Sequence, residues 1–177
     1  ASYNAHKTSE GIPNSFKISL TSIGIGTILA LGILVLSGAI DWMPSQIVPL
    51  TGMIASNSMT AIGITYQSLT TQFKDNRQQV LEKLALGANE KQSSLTIVRQ
   101  SIKTGMQPSI SRSKTVGLVS LPGMMSGLMF AGIDPTEAIR YQIVIMFMLI
   151  SVTAISSFIA SYMTYRSFYN KEIQLMI

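Results

Sequence analysis

Four stretches of the chain repeat one pattern, long runs of apolar and small hydroxyl residues with no Lys, Arg, Asp, Glu or His: Ile18 to Ile40, Ile47 to Phe73, Thr115 to Ile133 and Tyr141 to Tyr165. The hydrocarbon core of a bilayer is about 30 Å thick and a helix rises about 1.5 Å per residue, so about 20 apolar residues cross it. All four runs come within reach of that length. The pattern predicts an all-α fold, a polytopic membrane helix bundle with transmembrane helices over about residues 17–40, 46–73, 108–132 and 136–166, in a single transmembrane domain over 1–177.

Between the second and third runs the period changes. Val80, Leu81, Leu84 and Ala88 share one face of a helix that also carries Lys74, Asp75, Arg77, Glu82 and Lys83. Gly87 breaks it, and Leu95, Val98, Ile102 and Met106 then recur at amphipathic spacing among Lys91, Arg99 and Lys103. Pro108 is expected to end that pattern and open the third span. Residues 74–107 therefore read as a protruding amphipathic knob along the membrane surface, resting on anionic lipid or docking a cytoplasmic subunit.

Charge orients this picture. Only 12% of the 177 residues are charged, against about 25% in a soluble domain. Lys7 and Lys17 precede the first span, Lys74 to Lys114 separate the second and third, and Arg166 and Lys171 follow the fourth, leaving Arg140 elsewhere. The positive-inside rule places both termini and the middle segment in the cytoplasm of a cell membrane, with outer turns at Asp41 to Gln46 and Gly132 to Glu137. The net charge of +5 is thus a topology signal and not a nucleic-acid footprint. The absence of cysteine excludes disulfides, zinc thiolates and thiol nucleophiles. Ala1 to Phe16 lacks the order of a signal peptide, so Ala1 reads as an internal start, with upstream residues missing or a leader removed.

Asp134-Pro135-Thr136-Glu137 combines an N-cap Asp, a Pro at the first helical position and a Glu at the third, which predicts the start of the fourth helix. The alternative use of Asp134 and Glu137 is cation capture at a pore mouth. Trp42 suits an interfacial anchor.

The spans hold no Ser with His, no Asp pair and no His-Glu-x-x-His, and the chain has no phosphate-binding loop, so it reads as a non-enzyme that would draw energy from another polypeptide. Their polar residues are uncharged: Ser56, Asn57, Ser58 and Thr60 in the second span, and Ser151, Thr153, Ser156, Ser157 and Ser161 in the fourth. Close helix packing explains most of them, while Asn57 is expected to face protein or water. Met124, Met125 and Met129 could ligate a soft metal or simply fill space. Leu121-Pro122-Gly123 predicts a hinge at Pro122 and Gly123.

Several motifs occur together in order: Val119-Ser120-Leu121-Pro122-Gly123-Met124-Met125-Ser126-Gly127, Ile139-Arg140-Tyr141-Gln142-Ile143-Val144, Pro49-Leu50-Thr51-Gly52-Met53-Ile54 with Asn57, and Leu84-Ala85-Leu86-Gly87-Ala88. Across roughly Ala1 to Asn170 they closely resemble the FetB-type permease family of ATP-binding-cassette transporters. The resemblance implies a plasma-membrane permease that exports a metal ion, with iron the expected cargo, and a plant relative associated with aluminium tolerance. It implies a separate cytoplasmic ATPase as the user of ATP, a second permease copy, lipid around the bundle and no cofactor bound by this chain. It also implies that Leu81 to Lys103 holds the ATPase-coupling helix, with Glu82, Leu84, Ala85, Gly87 and Ala88 as coupling residues. Asn57, Met124, Met125, Asp134 and Glu137 are the candidate metal-path residues. Family members carry further membrane-spanning sequence ahead of the region corresponding to Ala1. An exporter or flippase for lipids or amphiphiles, and a membrane scaffold without transport, are the alternative readings.

Overall fold

The computed structural model describes residues 15–36, 38, 42, 44–115, 123–170 and 174–175. The helices are α1 (Ser15–Leu36), α2 (Pro44–Asp75), α3 (Arg77–Ala85), α4 (Glu90–Thr115), α5 (Gly123–Phe130) and α6 (Pro135–Thr164), the last continuing into a 3-10 turn at Tyr165–Phe168. Three helices among the described residues are long and apolar enough to cross a membrane, α1, most of α2 and α6. Of the segment predicted as a third crossing, the described residues include the end of α4 and the eight-residue α5, and residues 116–122 lie outside them.

Helix α1 is apolar on every side, so its sequence does not say which face packs. The structure buries a stripe of five residues spaced four apart, Ile18, Ser22, Gly26, Ala30 and Leu34, and leaves Leu20, Ile28, Ile33 and Leu36 exposed. Small residues in the stripe let backbones approach, which in lipid contributes more than apolar burial does. A Cβ on Gly26 would stand 2.8 Å from Ser156 Oγ, so α1 and α6 cross closely there.

The core divides into two clusters along the bundle. Ala30 and Leu34 of α1, Leu50 and Ile54 of α2, and Ile145, Met148 and Val152 of α6 form one. Toward the other end, Tyr66, Leu69 and Phe73 of α2, Val80 of α3, Ile97 of α4, and Tyr165, Phe168 and Tyr169 form the second. The Phe73 and Phe168 rings stack with centroids 4.4 Å apart, and Tyr169 meets Phe73 edge-on at 6.1 Å. Between the clusters, Ser156 Oγ bonds to Ser58 Oγ at 3.3 Å.

Helix α4 departs from expectation in two ways. It does not end at Pro108 but carries that proline in its interior through to Thr115. Nor does it lie as a surface knob: it packs antiparallel along α2, with the Gly105 position against Ala61 and Thr65, and Arg112 against Asn57. The buried face is Ser94, Ile97, Ser101 and Gly105, about one position from the predicted Leu95, Val98, Ile102, Met106 stripe, and Leu95 stays 40% exposed. Steric closeness decides this. Small residues permit contact along the length of α2, and that contact outweighs the interior proline, which costs about 3 kcal/mol.

Candidate functional site

The corner between α3 and α4 is built from two backbone devices. At the end of α3, Ala88 N donates to Lys83 O and Gly87 N to Leu84 O, both at 3.0 Å, with Gly87 at φ 87°. This is the paired-bond helix stop in which a left-handed residue follows the helix. Helix α4 then starts with a reciprocal cap: Gln92 N donates to Asn89 Oδ1 at 2.9 Å, and Asn89 N donates to Gln92 Oε1 at 3.1 Å. Stop and cap abut, so the corner is stiff. Of the predicted coupling residues, Glu82, Ala85 and Gly87 are exposed while Leu84 and Ala88 are half-buried. Leu86 was missing from that set and is 88% exposed at the tip. An apolar side chain presented by a rigid turn was findable from the Leu-Gly pair, since Gly at a helix stop leaves its predecessor outside.

The corner is anchored to the end of α6. Ser93 and Tyr169 hydroxyls bond at 3.0 Å, Arg166 approaches Glu90 at 3.9 Å, and Lys91 Nζ lies 6.0 Å from the Tyr162 ring centroid. Burial raises the Tyr169 phenol above its ordinary pKa, partly offset by the hydrogen bonds from Ser93 and Ser94. The phenol is therefore a neutral strut at physiological pH.

Along the α2–α4 contact, Arg112 Nη1 donates to Asn57 Oδ1 at 2.7 Å, and Asn57 Nδ2 donates to Met53 O at 2.8 Å. The amide oxygen expected to meet a metal already accepts from a guanidinium. A cation placed there would face an uncompensated positive charge.

At the start of α6, Asp134 caps as expected, accepting from Thr136 N at 2.8 Å with Pro135 following. Glu137 does not turn back to complete the cap: it pairs with Arg140 one turn on at 2.8 Å, because the outward-facing guanidinium is within reach. The Thr136 amide holds the Asp134 carboxyl below its ordinary pKa. A depressed carboxylate contributes stability that is present above its unfolded value of about 3.9 and disappears as pH falls through the lower folded value. Amide exchange at Thr136 to Ile139 is therefore expected to stay slow down to about pH 4 and to accelerate only in stronger acid. In Asp134→Asn the acid acceleration is lost while the cap is kept. Equal acid sensitivity in both proteins would discard the assignment.

Asn57 and the Asp134–Glu137 pair do not share one site. Ser156 of α6 faces Ser58, and it lies 19 residues beyond Glu137, which puts Asn57 and Glu137 about 28 Å apart along the bundle. Met125 is half-buried on α5, which packs on α6; Gly123 and Met124 begin that helix, and Pro122 lies outside the described residues. Among the described residues no three His, Cys, Asp or Glu side chains come together.

The model of the uncharacterised protein family UPF0014 matches residues 1–169. The chain belongs to this family. Among UPF0014 relatives, the probable iron export permease protein FetB of Escherichia coli strain K12 is 49% identical over 177 residues, covering 100% of this chain and 68% of the relative. The protein ALUMINUM SENSITIVE 3 of Arabidopsis thaliana is 35% identical over 175 residues, 99% of this chain and 64% of its own length. The UPF0014 membrane protein STAR2 of Oryza sativa subsp. japonica is 36% identical over 175 residues, 99% of this chain and 61% of its own length. The chain thus spans about two thirds of the length of these proteins. No solved structure matches.

Proposed function

We propose that this chain is the greater part of the permease subunit of an ATP-binding-cassette transporter that exports iron, powered by a separate cytoplasmic ATPase. The observation that carries this reading is the 49% identity to a probable iron export permease across the whole chain. In this reading residues 1–177 form one membrane domain that pairs with a second permease copy. Four crossings leave both termini in the cytoplasm, with the second half of α4 and α5 belonging to the third. The ATPase grips the stiff corner at Leu86.

Helix α4 makes the corner a lever. It is one 26-residue helix, about 39 Å long, running from the capped corner to Arg112 and beyond. Movement imposed on Leu86 when two ATPase subunits close therefore reaches Asn57 without a flexible link. The packed α2–α4 contact shifts between discrete arrangements, inward-open and outward-open.

The test is ATPase turnover of the full-length permease with its ATPase in liposomes, titrated with ferrous iron alongside other metals and lipids. Iron-stimulated turnover with iron flux is the expected result, and metal-indifferent turnover discards the cargo. Gly87→Val is expected to uncouple the pair, because a left-handed β-branched residue costs about 1–2 kcal/mol and distorts the corner. Nothing lies within 4 Å of a Cβ there, so the strain is in the backbone alone. Gly87→Asn, which tolerates that conformation, should retain most of the coupling; equal loss in both variants would contradict this account.

One observation favours an amphiphile as the alternative cargo. A groove of about 370 Å³ between α1 and α6 is lined by Leu29, Ile33, Phe147, Ser151 and neighbouring apolar residues. Stimulation by lipid and not by metal would select that reading.

A further inference from the structure

Helix α1 fixes where the hydrocarbon slab must lie. The apolar run to which it belongs, Ile18 to Ile40, exceeds by only a few residues the about 20 needed to cross, so it can be displaced along the membrane normal by no more than a few ångströms. At one end Ser19 Oγ lies 3.2 Å from Tyr66 Oη, and at the other Leu34 shares a cluster with Leu50. The part of α2 between Leu50 and Tyr66 is therefore inside the slab. Asn57 lies nine residues, about 13 Å, from the Tyr66 level.

Helix α4 reaches the same depth, through Gly105 at Thr65 and Arg112 at Asn57. Its outward side there is polar and cationic: Gln107, Ser111, Arg112 and Lys114 are exposed, with Lys103 at the approach. The ion pairs among the described residues are Arg140 with Glu137 and Arg166 with Glu90, so no described carboxylate neutralises Lys103, Arg112 or Lys114. Arg112 donates to a neutral amide and keeps its full charge. By contrast, the outward side of α1 at this depth is Leu29, Ile28 and Ile33. Each cation facing lipid at mid-membrane would cost about 2.5–3.5 kcal/mol even on insertion scales, so this side of α4 does not face lipid.

We propose that the outward face of α4 lines a water-filled, positively charged vestibule. It opens at the α3 end of the bundle, ends at the Arg112–Asn57 contact, and admits anions bearing carboxylate or phosphate groups. Low-dielectric walls focus the field of the three cations along the cavity. The free Arg112 donors suit the planar oxygens of such an anion, a geometry an ammonium does not offer. If the cargo is iron, as the preceding reading holds, it enters as an anionic polycarboxylate chelate and not as the hydrated ferrous ion. The vestibule itself does not depend on that reading. Free polycarboxylate and its iron chelate share this chemistry, and the experiment separates them.

The chain contains no cysteine, so single thiols report without background. Gln107→Cys and Ser111→Cys are introduced into the full-length permease with its ATPase, in vesicles exposing the α3 end, and treated with membrane-impermeant thiosulfonates of opposite charge. Both thiols should label, while Ile28→Cys on the lipid side of α1 should not. After normalisation to a free thiol, the anionic reagent should react about tenfold faster than the cationic one, and Arg112→Gln should remove most of that preference. Citrate or ferric citrate should protect Gln107→Cys, and ferrous sulfate should not; protection by ferric citrate at lower concentration than citrate assigns the chelate, and the reverse order assigns the free anion. No labelling at either position means that the face packs against protein and overturns the vestibule. Equal rates for the two reagents, or protection by ferrous sulfate alone, overturn the anion assignment. Iron flux without labelling removes only the vestibule, whereas charge-selective labelling without iron-stimulated turnover removes only the iron reading.

Discussion

Replacing Phe73 by alanine is expected to lower the stability of the α3 end of the bundle by about 3–5 kcal/mol. Phe73 is fully buried, stacks on Phe168 and meets Tyr169 edge-on. It sits seven residues past the Tyr66 level, beyond the slab that α1 defines. Its burial is therefore driven by the hydrophobic effect in water, unlike that of Ile54 or Ile145, whose unfolded alternative inside a bilayer is equally apolar. Because the two clusters are separate, the loss should be regional. Amide protection should fall across Arg77 to Gln100 while the Leu50, Ile145 and Val152 region keeps its protection. Phe168→Ala should add little on top of Phe73→Ala, since both delete the same stack. Additive losses, or a Phe73→Ala change under about 1 kcal/mol, would show that the aromatic cluster does not hold the corner to the bundle.

Gly105→Ala inverts an ordinary rule. In an exposed helix interior the change gains about 1 kcal/mol. Here the new Cβ would be driven onto Thr65 Oγ1 and would stand 3.0 Å from Ala61 O, which is backbone and cannot give way. Overpacking of this kind costs about 1–3 kcal/mol, so the variant should unfold at lower denaturant and transmit movement of the corner poorly. Removing the hydroxyl in Gly105→Ala/Thr65→Ala should recover part of the loss and not all of it, because the Ala61 carbonyl remains. Stabilisation by Gly105→Ala alone would falsify the close α2–α4 contact on which the lever mechanism depends.

The legibility of the chain varies by region for physical reasons. The N-cap at Asp134 could be read from four consecutive residues because capping is local. The Gly87 stop was equally plain, since a left-handed residue in a helix-ending pattern has few occupants besides glycine. The second cap, Asn89 with Gln92, carried the same kind of signal and was passed over in favour of the apolar periodicity around it. The path of α4 departs from its amphipathic period because that period does not follow the face that packs on α2. Close helix contact follows small residues, and Ser94, Ser101 and Gly105 have no hydropathy with which to announce themselves. Asn57 reads from sequence as facing protein or water, but its partner Arg112 lies 55 positions away on a helix that the pattern places at the surface, so the contact is not legible there.

The sequence by itself determined that the chain is an all-α membrane protein, where its three long apolar helices run, where two of its turns stop and start, and to which family it belongs. These depend on transfer free energies and backbone preferences that each segment carries with it. The tertiary structure alone decided that α4 passes through Pro108 and packs along α2, that Asn57 and Glu137 lie far apart, and that the cationic end of α4 meets Asn57. Those outcomes depend on which small residues meet across helices, and pairwise contact is a property of three-dimensional packing that no single segment encodes.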